Sequence, residues 1–168
     1  SSYGEDWKFF WNLNDTPHRI FGKSISQNFN GYDPLQSEIA AREFISSHQS
    51  LFNLSDNSLE LWVNEQHGNL RYLIFNQVYN GIAVWNGRID FRYRLNGDLV
   101  MIGHDAFPHL NLNTNPGINM NQAIFYSQLH VDFDENLNDE VIGDPELYIW
   151  VDRGREPVYH LAWLTELF

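Results

Sequence analysis

Apolar and β-favouring residues crowd the stretch from Leu70 to Pro108, interrupted chiefly by asparagine–glycine pairs. They fill Tyr72 to Tyr79, and Asn80-Gly81 then predicts a tight hairpin turn, because both residue types tolerate positive φ. In the next strand Ile89, Phe91, Tyr93 and Leu95 share one face, while Arg88, Asp90, Arg92 and Arg94 share the other. That alternation predicts one buried and one wet face. Asn96-Gly97 turns the chain again into a third strand, Leu99 to Ile102. Ile82 and Val84 have the opposite parity to Ile89 and Phe91. A plain strand would flip its apolar face midway, so one extra residue at Asn86-Gly87, a β-bulge, is expected.

Ahead of this ribbon, Asp6 to Phe21 carries Trp7, Phe9, Phe10 and Trp11 and reads as an edge strand whose aromatics cover a core. Ser24 to Tyr32 is polar and turn-like. Asp33-Pro34-Leu35-Gln36 starts a helix with a capping aspartate, a proline in the first turn and a glutamine placed to bond back. Leu35, Ile39, Phe44, Ile45, His48 and Phe52 form its expected apolar stripe, and Ala40-Ala41 permits close approach to a sheet. Leu59, Leu61 and Val63 alternate as a strand, and Gly68-Asn69 turns into the ribbon.

After Pro108, the Asn-rich segment His109 to Gly117 marks a module boundary. Asn119 is placed to cap a second helix, whose apolar side is Met120, Ala123, Ile124 and Leu129 or Val131. An acidic loop, Asp132 to Glu140, precedes two strands, Glu146 to Val151 and Val158 to Leu164, around Gly154. The fold class expected is α+β, with antiparallel β-sheets each packed with a helix, divided as residues 1–108, a connector 109–117, and residues 118–168.

The net charge of −12, from 22 acidic and 10 basic residues, argues against nucleic acid or an anionic membrane as partner. There is no cysteine, hence no disulfide staple and no thiol chemistry. No apolar run reaches the roughly 20 residues needed to span a bilayer. The opening residues Ser1 to Asp6 have neither a basic nor an apolar leader region, so any signal peptide is expected to have gone already.

Candidate chemistry changes little. His-Glu-x-x-His, which sets two imidazoles a helical turn apart on zinc beside a general base, does not occur. The seven histidines are scattered, and Pro108 separates the one close pair, His104 and His109. No metal site and no cofactor are expected. Asp132 to Asn136 resembles the start of a calcium loop, but loop positions six and twelve hold Leu137 and Gly143. Neither a G-x-S-x-G serine motif nor a phosphate-cradling glycine loop is present. Asn14-Asp15-Thr16 and Asn53-Leu54-Ser55 are formal glycosylation sequons.

An ordered set of residues carries a resemblance that covers most of the chain. Gln77-x-Tyr79-x-Gly81-Ile82-x-Val84, then Gly87, Asn96-Gly97 and Pro108, resembles the fungalysin/thermolysin propeptide motif, and Thr16 to Gly22 resembles the opening of that module. The helix, loop and hairpin after residue 117 resemble a PepSY-like domain, with His160-Leu161-Ala162-Trp163 close to its penultimate strand. Such pro-regions usually add a further strand and a junction to the protease, whereas this sequence ends at Phe168.

The resemblance implies two small cystatin-like/PepSY-like modules. It also implies a non-catalytic, secreted or periplasmic pro-region that acts as intramolecular chaperone and temporary inhibitor of a zinc metallopeptidase. Its partner would be the mature metallopeptidase domain. The alternative is a free-standing protein-binding or protease-inhibitor module of similar architecture. An enzyme would require a cleft with perturbed carboxylates. Candidate contact residues are Tyr79, Asn80, Gly81, Trp85, Asn86 and Gly87 at the turns and bulge, against which stands the plainer role of turn glycines and core aromatics. Arg88, Arg92 and Arg94 form a basic row that either pairs with neighbouring carboxylates or marks a docking face.

Overall fold

Asn80 and Gly81 take φ of +51° and +79°, and this left-handed pair reverses the chain within two residues. The computed structural model describes residues 6–13, 15–54 and 58–168, with Glu135 by its backbone alone. Its strands are β1 (Lys8–Trp11), β2 (Pro17–Ser26), β3 (Leu59–His67), β4 (Leu70–Tyr79), β5 (Ile82–Arg94), β6 (Asp98–His104), β7 (Val141–Asp152) and β8 (Val158–Leu167). Its helices are α1 (Pro34–Ser47), α2 (Gln49–Phe52) and α3 (Met120–Leu129). The fold is mixed α+β. In place of separate antiparallel sheets, one eight-stranded sheet runs β1-β2-β6-β5-β4-β3, and β7 joins it along β5 with β8 outside. The join is parallel and short, pairing Ala83 with Tyr148 and Val84 with Ile149.

That join explains the irregularity in β5. Val78 pairs with Ala83 and Asn76 with Arg88, so one residue of β4, Gln77, stands against the four from Val84 to Gly87. The bulge is thus larger than the single extra residue expected. Asn86 supplies its left-handed corner at φ +57°. The phase change also serves a different end: Val84 belongs to one hydrophobic cluster, whereas Ile89, Phe91 and Tyr93 belong to another.

The larger cluster sets α1 against the sheet through Ala41, Phe44 and Ile45, over Leu73, Phe75, Ile89, Phe91, Leu99 and Ile102. The smaller gathers Val84, Phe107, Ile149 and Val151. Gln77 stands at the seam between them, donating from Nε2 to the Phe107 carbonyl at 2.7 Å and accepting the Phe107 N–H at 2.8 Å. A side chain at Gly87 would stand 2.9 Å from the Gln77 amide oxygen. Gln77 and Gly87 thereby share one structural role.

Several expectations are corrected. Leu35 and Ile39 are exposed, and the buried face of α1 is Ser37, Ala40, Ala41, Phe44 and Ile45, since the two alanines bring the backbone against the sheet. Asp33 caps this helix, but Gln36 bonds to the Asp33 side chain and to the Asn30 N–H instead of closing a capping box. Asn119 and Gln122 do close one on α3. Only Ala123 is buried on α3, with Met120 and Leu129 exposed. β1 is an edge strand as expected, but Phe9, Phe10 and Trp11 face solvent and stack as Phe9–Trp11 and Phe10–Phe21. Ser24 to Ser26 continue β2, and β7 starts at Val141 instead of Glu146. The sequon residues Asn14 and Ser55 lie outside the described residues.

The face of β5 expected to be wet is largely covered. Asp90 is 3% exposed, and Arg92 Nη1 lies 3.1 Å from its Oδ1. The guanidinium is turned so that this contact is ionic without being a directed hydrogen bond, leaving Oδ1 otherwise unpartnered among the described residues. The cause is cross-strand. Gly103 pairs with both Asp90 and Arg19, and a side chain at Gly103 would overlap the Asp90 carboxylate.

Next along β6, His104 is fully buried, stacked on Phe52 with Nε2 3.2 Å from the Phe52 carbonyl, and its Nδ1 has no partner among the described residues. Burial is the main influence on its pKa and lowers it, outweighing the upward pull of Phe52, of its own backbone and of Asp105. Asp105 itself meets His18 at 2.7 Å and Arg19 at 3.0 Å. Burial would raise the Asp105 pKa, but those two partners outweigh it and the net direction is down. The unfolded chain therefore protonates His104 at higher pH than the folded chain does. Stability is fully present above the unfolded imidazole value of about 6.5 and drains away as pH falls toward the folded value. The denaturation midpoint is expected to drop between about pH 7 and pH 5, and to drop less in His104→Phe. Equal drops would exonerate His104.

Candidate functional site

Glu146, Tyr148, Trp150 and Asp152 alternate along β7, so they share one face, while Leu147, Ile149 and Val151 share the other. Ile149 and Val151 are buried in the smaller cluster, which commits that face to packing. The face with the acids and aromatics is open: Trp150 is 46% exposed, and on β8 Leu164 is 45% and Val158 53% exposed. Ala162 stands across from Tyr148, and His160 across from Trp150.

The parallel join adds Trp85 to this face. Its ring meets Tyr148 edge-on at 5.3 Å and lies 6.2 Å from Trp150 at a 30° tilt. Trp85, Tyr148, Trp150, Ala162, Trp163 and Leu164 line an apolar notch of about 80 Å³. Carboxylates close both ends of the row. Tyr148 Oη donates to Glu146 Oε2 at 2.7 Å, which raises the phenol pKa. Trp150 Nε1 donates to Asp152 Oδ1 at 3.2 Å, and His160 Nε2 lies 3.1 Å from Asp152 Oδ2. The hydrogen bonds hold the ring edges and leave the apolar faces for contact.

Of the residues singled out from the sequence, Trp85 is brought into this cluster. Asn86 sits beside it on β5, and its carbonyl accepts from Arg153 Nη2 at 2.9 Å. Tyr79 packs against the smaller cluster, while Asn80 and Gly81 are exposed at the hairpin tip. Gly87 is buried at the Gln77 seam. Arg88, Arg92 and Arg94 belong to the other side of the bulge, where β5 pairs with β4. Arg92 also lies over the Tyr72 ring at 4.1 Å, and Arg94 is exposed. Among the described residues no ion pair reaches Arg88 or Arg94.

Tyr148, Trp150, Glu146 and Asp152 were not picked out from the sequence. Their signal was there: acid, aromatic, aromatic, acid at alternate positions of one strand. A second opening, a groove of about 500 Å³, lies between α3 and the β7–β8 hairpin, where Trp163 Nε1 donates to the Ile118 carbonyl at 3.0 Å. Among the described residues no helix is long and apolar enough to cross a membrane, and no three His, Asp or Glu side chains gather as metal ligands.

No protein-family model matches the chain, and no curated protein matches it. Among solved structures it is similar to the Bacillus megaterium YpeB C-terminal domain, at 16% identity over 89% of this chain, with a TM-score of 0.43. The chain spans 62% of the length of that structure. At that score the likeness bears on neither function nor partner.

Proposed function

We propose that this chain is a non-catalytic pro-region that grips the catalytic domain of a secreted or periplasmic zinc metallopeptidase, assisting its folding and holding it inactive. The observation that carries the gripping role is the aromatic face of Trp85, Tyr148 and Trp150, on which Trp150 is exposed, its two neighbours are half-buried, and hydrogen bonds hold Tyr148 and Trp150. Exposed aromatic anchors of this kind supply most of the energy at protein interfaces. The propeptide resemblance supplies the partner's identity, and the role requires no cofactor.

The physics of the role is straightforward. A protease rich in distant contacts folds slowly, because loop-closure entropy is lost before those contacts form. A prefolded partner that binds the native-like form stabilises it by mass action. The same binding covers the substrate cleft. With a net charge of −12, the chain also meets a basic protease surface faster at low salt.

The test begins with the coding sequence downstream of Phe168, where a His-Glu-x-x-His catalytic domain is expected. Added to that domain in trans, this chain should suppress peptide hydrolysis and raise the yield on refolding. Unchanged activity and yield at saturating concentration would reject the proposal. A stop codon soon after Phe168 would leave the free-standing binding module as the better reading.

A further inference from the structure

We infer that the Glu146–Tyr148–Trp150–Asp152 row takes an extended, basic segment of a protein partner, with arginine or lysine at its two ends and apolar side chains between. The inference rests on the partner-binding reading above but not on which protein the partner is.

Geometry sets the spacing. Six residue steps along β7 separate Glu146 from Asp152, which places their backbones about 20 Å apart at ordinary strand rise. One cation cannot serve both carboxylates. An extended segment of similar length can, with one cationic side chain at each end. Between the ends, the notch of about 80 Å³ beside Trp85 is lined by aromatic and aliphatic groups and suits a branched apolar side chain. The exposed ring of Trp150 also offers a face to a passing ammonium or guanidinium.

Charge selects the sign. Residues 118–168 hold ten Asp and Glu against two arginines. One of those, Arg153, is turned to the Asn86 carbonyl and over the Phe107 ring. Among the described residues His160 is the one basic group paired with the row, at Asp152. An acidic segment would meet repulsion at both ends. A purely apolar one would cover Glu146 and Asp152 without replacing the water they lose.

The probe is the peptide acetyl-Arg-Thr-Leu-Thr-Leu-Thr-Arg-amide, titrated into the whole chain while the six tryptophan indole signals are followed by NMR, with assignments from single Trp→Phe variants. The control carries Glu in place of both Arg. The Arg peptide should move the Trp85 and Trp150 signals and bind about fivefold or more tighter than the control. The double variant Glu146→Gln/Asp152→Asn, exposed at both positions and so expected to fold normally, should erase most of that preference. Trp150→Ala should weaken binding of the Arg peptide about tenfold.

Equal binding of the two peptides, binding of neither, or shifts that leave the Trp85 and Trp150 signals unmoved would overturn the inference. The metallopeptidase assay is read separately. Arg-peptide binding without protease inhibition would sink the proposed partner and leave the basic-segment site standing, and the converse would sink the site alone.

Discussion

Replacing Phe91 by alanine is expected to cost about 3–5 kcal/mol of unfolding free energy, the range for deleting a buried phenylalanine ring. Phe91 is fully buried on β5, and four rings surround it: Tyr93 at 6.0 Å, Phe44 at 6.1 Å, Phe52 at 6.2 Å and Phe75 at 6.3 Å. These come from α1, α2, β4 and β5 itself, so the ring ties the helical layer to the sheet. Rings held on separate elements cannot all move in to refill one gap, so a cavity remains. Urea titration followed by far-ultraviolet circular dichroism measures the loss. A cost under about 1 kcal/mol would mean that the cluster closes over the gap and that Phe91 is not its centre.

Gly97→Ala is expected to cost about 3 kcal/mol, against about 1 kcal/mol for Gly81→Ala, although both glycines follow an asparagine at a hairpin turn. Both have positive φ, +85° at Gly97 and +79° at Gly81, so both substitutions incur the left-handed penalty. Around Gly81 a methyl group meets nothing within 4 Å. At Gly97 it would overlap the carbonyl oxygen of Phe29. Phe29 cannot yield freely, since its ring packs edge-on against buried Tyr93 at 5.1 Å. Parallel denaturation curves of the two variants make the comparison. Equal costs would mean that backbone conformation alone matters and that the Phe29 loop gives way.

The contrast between the two glycines shows how far reading along the chain reaches. The Asn80-Gly81 turn, the caps at Asp33 and Asn119, the edge position of β1 and the strand character of β3 to β8 were all legible. Each depends on neighbours within a few residues. The crowding at Gly97 was not, because Phe29 approaches from a loop distant in sequence. Nor was the burial of Asp90, which depends on Gly103 standing between it and Arg19 across three strands.

For the site the division is similar. Alternation along the expected strand Glu146 to Val151 already sets Glu146, Tyr148 and Trp150 on one side, and the longer strand of the structure adds Asp152 to it. The sequence by itself did not determine that this side would stay open while the opposite side was buried. Nor could it bring Trp85 against Tyr148 and Trp150. Both outcomes follow from the short parallel pairing of β5 with β7, a long-range choice of partner that the tertiary structure alone decides. Turns and caps are settled by local sterics and hydrogen bonds, whereas exposure depends on what the rest of the chain places opposite.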